Sequence, residues 1–174
     1  MDNPLSYLNY SKFMQDAIIA ALNTKAFPNP KVAAVLTDNK GNIKSTGVHH
    51  GPGTNHAEID LLTKTTIDTD DVLYVTLEPC FHADSSPSCA VELLNTSLKN
   101  IVIGDKDVDP RTNGKSIELF KNKGLNIQFE YNANNLINPH YLNQKINKKS
   151  NTIIGKIASS QNNYIYNDQT EDKY

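Results

Sequence analysis

Between Val32 and Tyr131 the chain alternates short apolar runs with stretches of helical periodicity, and that alternation restricts it to a layered α/β fold. Leu8, Phe13, Ala17, Ala20 and Ala21 recur at helical spacing and predict a helix over Ser6 to Leu22, stopped before Phe27-Pro28-Asn29-Pro30. Val32 to Leu36 and Ile43 to Val48, joined by the turn signal Asp38-Asn39-Lys40-Gly41, predict a hairpin. Helices are expected over His56 to Thr63, Ser88 to Leu98 and Ser116 to Lys123, the last closed by Gly124. Strands are expected over Val72 to Leu77, Asn100 to Gly104 and Asn126 to Tyr131. A last helix over Leu136 to Ile146, with Pro139 near its first turn, and a strand over Ile153 to Ala158 complete the reading. The order predicts an α/β protein, a three-layer α-β-α sandwich with a mixed central sheet.

Composition narrows the class further. A length of 174 residues fits one domain, and 38% hydrophobic with 21% charged residues excludes both a disordered chain and a membrane protein. The longest apolar run, Ala17 to Leu22, is far short of the roughly 20 residues that span a bilayer. Met1 to Tyr10 has neither the basic start nor the apolar core of a secretory signal, so a cytoplasmic protein is expected. A net charge of −2 argues against a nucleic-acid partner, and Lys145, Lys148 and Lys149 read as a solvated helix end. Arg111 is the only arginine, which leaves few forked anion clamps.

Cys80 and Cys89 are the only cysteines, and composition alone leaves them as apolar filler or metal ligands. Their positions relative to His56-Ala57-Glu58 favour ligands. One imidazole and two thiolates can hold zinc with its fourth position open, and zinc lowers the pKa of a water there towards neutrality. A carboxylate two residues after the histidine, on the first turn of a helix, can take the water's proton and return it to a leaving group without binding the metal. His-x-Glu with Pro-Cys-x-x-Cys is the signature of zinc nucleobase deaminases. In this chain eight residues separate the cysteines, so the segment Phe81 to Ser88 must leave the metal and return to it. A structural zinc, or two buried thiols without metal, are the alternatives.

The motifs resemble the deaminase domain of the bacterial bifunctional riboflavin-biosynthesis deaminase–reductase. The matching segments are Pro28-Asn29-Pro30-Lys31-Val32, Gly47-Val48-His49, His56-Ala57-Glu58 and Val75-Thr76-Leu77-Glu78-Pro79-Cys80. His82, Pro87 and Cys89 follow at the family's long spacing, and Ile103-Gly104, Asp109-Pro110 and Gly114-Lys115 match further on. The resemblance implies a cytidine-deaminase-like fold and zinc-dependent hydrolytic deamination of 2,5-diamino-6-ribosylamino-pyrimidinone 5′-phosphate. It implies Zn²⁺ on His56, Cys80 and Cys89, Glu58 as the catalytic acid and base, and Asn29, His49 and His82 in contact with the pyrimidine or ribose. It further implies a homo-oligomer, dimer or tetramer, with a small-molecule pyrimidine substrate. Residues 1–147 would form the deaminase domain, and 148–174 resemble the start of a truncated reductase domain. Where the family has Gly followed by Lys or Arg, this chain has Asp84-Ser85, so either another lysine, Lys31 or Lys115, supplies the charge for a phosphate, or the substrate lacks a phosphate in that place. The competing readings are a deaminase of another nucleobase, nucleoside or RNA, and a non-catalytic remnant that keeps zinc for stability.

Overall fold

A computed structural model describes residues 10–83, 87–139 and 141 of the chain. Ten elements follow in the order α1 (Lys12–Leu22), β1 (Ala33–Thr37), β2 (Ile43–Val48), α2 (Ala57–Leu62), β3 (Val72–Val75), α3 (Cys89–Leu94), β4 (Asn100–Ile103), α4 (Lys115–Asn122), β5 (Asn126–Phe129) and α5 (Ala133–Ile137). The strands form one sheet in the order β2-β1-β3-β4-β5. β1 runs antiparallel to β2 and β3, whereas β3, β4 and β5 run parallel. The mixed sheet is the one expected.

Strand periodicity divides the core into two layers. Ala34, Leu36, Leu73, Val75, Ile101 and Ile103 point to one face, where Leu61 of α2, Leu93 of α3 and Ile117 and Phe120 of α4 cover them. Ala33, Val35 and Val102 point to the other, under Met14, Ala17, Ile18 and Ala21 of α1 and Ala133 and Ile137 of α5. Burying each of the larger of these side chains is worth about 1.5–3 kcal/mol, so both helix layers are held mainly by apolar contact. The three-layer sandwich is thereby established.

Several boundaries differ from the periodicity for local reasons. α1 begins at Lys12 because the Ser11 hydroxyl caps it, accepting the Met14 N–H at 3.3 Å, while the Ser11 N–H donates to Glu130. α3 stops at Leu94 instead of Leu98, since the Thr96 hydroxyl donates to the Leu93 carbonyl at 2.6 Å and accepts the Leu98 N–H. α5 spans Ala133–Ile137, ahead of the expected start at Leu136, and Asn138 leaves helical geometry with φ −130° and ψ 48°. Pro139 and Tyr141 are helical again, as expected, whereas residues 142–146 of that helix, the strand over Ile153 to Ala158 and the tail 148–174 lie outside the described residues, as do Asp84 and Ser85.

The topology brings chemistry to one end of the sheet. Ala33 pairs with Val48, and the Thr76 N–H donates to the Ala33 carbonyl, so the start of β1, the end of β2 and the end of β3 are adjacent. The segments carrying Asn29, His49, His56 and Cys80 all leave the sheet there. Gly47 lets α2 lie against β2: a β-carbon at this position would come within 2.1 Å of the Ala57 carbonyl oxygen.

Candidate metal centre and active-site cleft

His56 is the N-cap of α2, with extended backbone at φ −65° and ψ 160°, so its ring lies outside the helix while its carbonyl accepts the Asp60 N–H. Cys80 lies beyond the carboxyl end of β3. Cys89 opens α3, where the Ser88 hydroxyl accepts the Val91 N–H at 3.2 Å. The Cys89 and Ala90 N–H groups turn back to the Cys80 sulfur and carbonyl, both at 3.2 Å. The N-terminus of α3 therefore serves Cys80 more than its own cysteine.

The three donor atoms converge. The sulfurs of Cys80 and Cys89 are 3.2 Å apart, and His56 Nδ1 is 3.3 Å from Cys89 Sγ. Among the described residues this is the group of His, Cys, Asp or Glu side chains suited to holding a metal ion. Hydrogen bonds from the Cys89 thiol, the His56 ring and the Cys89 N–H pull the Cys80 thiol well below the usual thiol range, against the effect of burial. The Cys89 thiol is pushed up because it is the donor to Cys80 and is buried. Two thiolates at this separation repel each other unless a cation shares them, and an imidazole with two thiolates is the donor set zinc prefers. His56, Cys80 and Cys89 fit a zinc site with one position left open. Bound there, zinc supplies a Lewis acid that brings the pKa of a water towards neutrality. Cys89→Ser should lower zinc affinity by more than the roughly 10–100-fold typical of losing an outer-shell partner. Metal analysis of dialysed protein checks this; undiminished zinc content would contradict the assignment.

Glu58 lies on the first turn of α2 and is 3% exposed. Burial raises its carboxyl to about 7, with the charge of Cys80 adding to the effect and His56 opposing it. A carboxyl poised there can gain or lose a proton near neutral pH.

A cleft of about 370 Å³ opens over these groups, and Asn29, His49, His56, Glu58, Cys80 and His82 all line it. His49 is buried, and burial lowers its pKa, which keeps the ring neutral. Its Nδ1–H donates to the Asn55 carbonyl at 2.9 Å, leaving Nε2 to accept from the Asn29 amide at 3.0 Å. His82 Nδ1 lies 3.1 Å from the Thr112 hydroxyl, which also accepts the Phe81 N–H. Every residue expected at the site from sequence is therefore in or beside one cleft.

Neither Lys31 nor Lys115 lines that cleft. The Lys31 ammonium donates to the Leu22 carbonyl, and the Lys115 ammonium sits 5.9 Å over the Phe81 ring. Arg111 does line it, its guanidinium held by the Asp109 carboxylate at 3.0 Å. Sequence reasoning also missed Glu78. Its carboxylate accepts the N–H groups of Asp107, Gly114 and Ser116, so it caps α4 from outside and fixes the loop that carries Asp109 and Arg111. The available signal was an acidic residue at the end of an apolar strand, directly before Pro79-Cys80.

A buried carboxyl on a first helical turn, beside an imidazole and two thiols at the carboxyl end of a strand, defines a zinc-dependent deaminase centre. Residues 8–105 match the cytidine and deoxycytidylate deaminase zinc-binding region. The chain is 34% identical over 102 residues to the diaminohydroxyphosphoribosylamino-pyrimidine deaminase of Buchnera aphidicola, covering 58% of this chain and 69% of that one. It is 33% identical over 118 residues to the riboflavin biosynthesis protein RibD of Aquifex aeolicus, covering 66% of this chain and 33% of the other. The crystal structure of the deaminase/reductase of Thermotoga maritima superposes with a TM-score of 0.69 at 29% identity, covering 78% of this chain and 41% of that one. The chain belongs to the cytidine and deoxycytidylate deaminase zinc-binding family, with its relatives among the RibD-type deaminases. It spans about two thirds of the Buchnera deaminase and one third of the Aquifex RibD. No helix among the described residues is long and apolar enough to cross a membrane.

Proposed function

We propose that the chain hydrolytically deaminates the diaminopyrimidine intermediate of riboflavin biosynthesis, 2,5-diamino-6-ribosylamino-pyrimidinone 5′-phosphate. The observation that carries this reading is the buried Glu58 carboxyl, able to exchange a proton near pH 7, beside the His56–Cys80–Cys89 cluster on the cleft wall. In the reaction, water oxygen bonds to the ring carbon that carries the amine, the carbon–nitrogen bond breaks, and ammonia leaves a carbonyl behind. Glu58 passes one proton of the water to the ring nitrogen and the other to the departing amine. The Asn29 amide, oriented by its bond to His49 Nε2, offers its second N–H and its carbonyl oxygen to the pyrimidine, the His49 ring packs beside it, and His82, oriented by Thr112, faces the ribose. Arg111 is the cation on the cleft wall for the phosphate.

On the same reading, residues 1–147 are the deaminase domain and 148–174 correspond to the opening of a reductase domain. The protein acts in the cytoplasm as a homodimer or homotetramer. Ammonia release from free and phosphorylated diaminopyrimidines, cytidine and guanine, with zinc measured on the same sample, tests the assignment. Turnover of the phosphorylated diaminopyrimidine, with a lower KM than its unphosphorylated form, is expected. Turnover of cytidine or guanine with none of any diaminopyrimidine would overturn it.

A further inference from the structure

We infer that Asn138 is a positioning residue for the substrate-facing loop Pro28–Lys31, which it grips from the far end of the described chain. The loop has few backbone handles, because prolines at 28 and 30 have no N–H to donate. The Asn29 N–H donates to the Ala26 carbonyl at 2.9 Å. At Lys31 both backbone groups are taken by one side chain: Asn138 Oδ1 accepts the Lys31 N–H at 2.7 Å, and Asn138 Nδ2 donates to the Lys31 carbonyl at 2.8 Å. The amide thus pairs with the loop as a neighbouring strand would.

Asn138 is itself fixed. It is buried, its Nδ2 also donates to Asn134 Oδ1 at 2.6 Å, and its N–H donates to the Asn134 carbonyl. The Asn134 N–H in turn donates to Asp105, just beyond the end of β4. A continuous line of hydrogen bonds therefore runs from the sheet through α5 to Lys31. Two positions earlier in the loop, Asn29 donates to His49 Nε2 in the cleft. Aspartate at 138 would keep the acceptor and lose the donor, and an apolar side chain would lose both. Asn138 does not line the cleft, so its effect on the reaction passes through the loop and Asn29. The link to substrate rests on the proposed function, in which Asn29 and His49 meet the pyrimidine.

The test has one arm that needs no substrate. In the zinc-loaded full chain, the ¹⁵N NMR signals of the His49 ring report the hydrogen bond that Nε2 accepts from Asn29, the tautomer itself being held by Nδ1–H on the Asn55 carbonyl. Asn138→Ala should shift these signals in the direction produced by Asn29→Ala. In the second arm, Asn138→Ala should raise the KM for the phosphorylated diaminopyrimidine about tenfold or more while kcat changes much less. Leu125→Ala, in the core under α4 and away from the cleft, serves as the control for general destabilisation and should leave KM unchanged. If Asn138→Ala does not fold, Asn138→Asp is read the same way. His49 signals unchanged from wild type, or a KM within about twofold of it, would overturn the inference. If the wild-type chain deaminates no diaminopyrimidine, that failure falls on the proposed substrate, and the His49 arm alone decides for Asn138.

Discussion

Glu58→Gln should lower ammonia release by about 100- to 10,000-fold while the protein keeps its zinc. The amide matches the carboxyl in shape but cannot take a proton from water or hand one on. Glu58 is not one of the three converging metal donors, so metal content should not follow activity down. Nor should stability fall, because a neutral amide costs less to bury than the carboxylate it replaces. Steady-state turnover, zinc content and a melting curve on one preparation check all three. Turnover equal to wild type would remove Glu58 from the chemistry, and loss of zinc with activity would make it a metal-site residue instead.

The second large effect belongs to a residue with no side chain. Gly47→Ala places a β-carbon 2.1 Å from the Ala57 carbonyl oxygen, 2.6 Å from the Leu61 nitrogen and 2.7 Å from Leu61 Cβ. Two of these neighbours are helix backbone, so relief requires α2 to move off β2. Overpacking of this kind costs about 1–3 kcal/mol or more. In a chain of this size each kcal/mol lowers the melting temperature by roughly 2–8 °C. The same displacement carries His56 and Glu58 with it, and a misplacement of about 1 Å at a reacting centre can cost on the order of 100-fold in rate. The variant should therefore melt earlier and, in whatever fraction is folded, turn over slowly. A variant with wild-type melting and wild-type turnover would contradict the close approach.

The elements that sequence periodicity located were those whose cause is local. β1 reads as a strand because all five residues are apolar or small and covered on both faces, and α4 because Ile117 and Phe120 share one side closed by Gly124. The metal ligands were legible for a different reason: three residues of two types with few other uses, His56, Cys80 and Cys89, stand near the ends of elements, so their spacing carried the chemistry. Glu78, Thr112 and Asn138 were not legible. Each acts on backbone or side chains dozens of residues away, and no pattern near it in the sequence marks the partner. The end of α5 is the plainest case. Periodicity carries one helix on past Ile137, but the Asn138 amide is committed to Lys31 and its backbone breaks the helix there, with Pro139 helical again beyond it. Arg111 lay between the two cases. Its rarity drew notice, yet only the Asp109 contact and the cleft geometry gave it a place.

The contact between Lys31 and Asn138 spans 107 residues, and the cleft is lined from Pro28 to Tyr141. Contacts so distant in sequence come at the greatest loop-closure cost and form after the local hairpin and helices. Until α5 has docked, the chain can hold a formed sheet and still lack one wall of the cleft. The metal donors are thus gathered by the sheet and its helices, whereas the wall of the cleft is closed only by the last segment of the described chain.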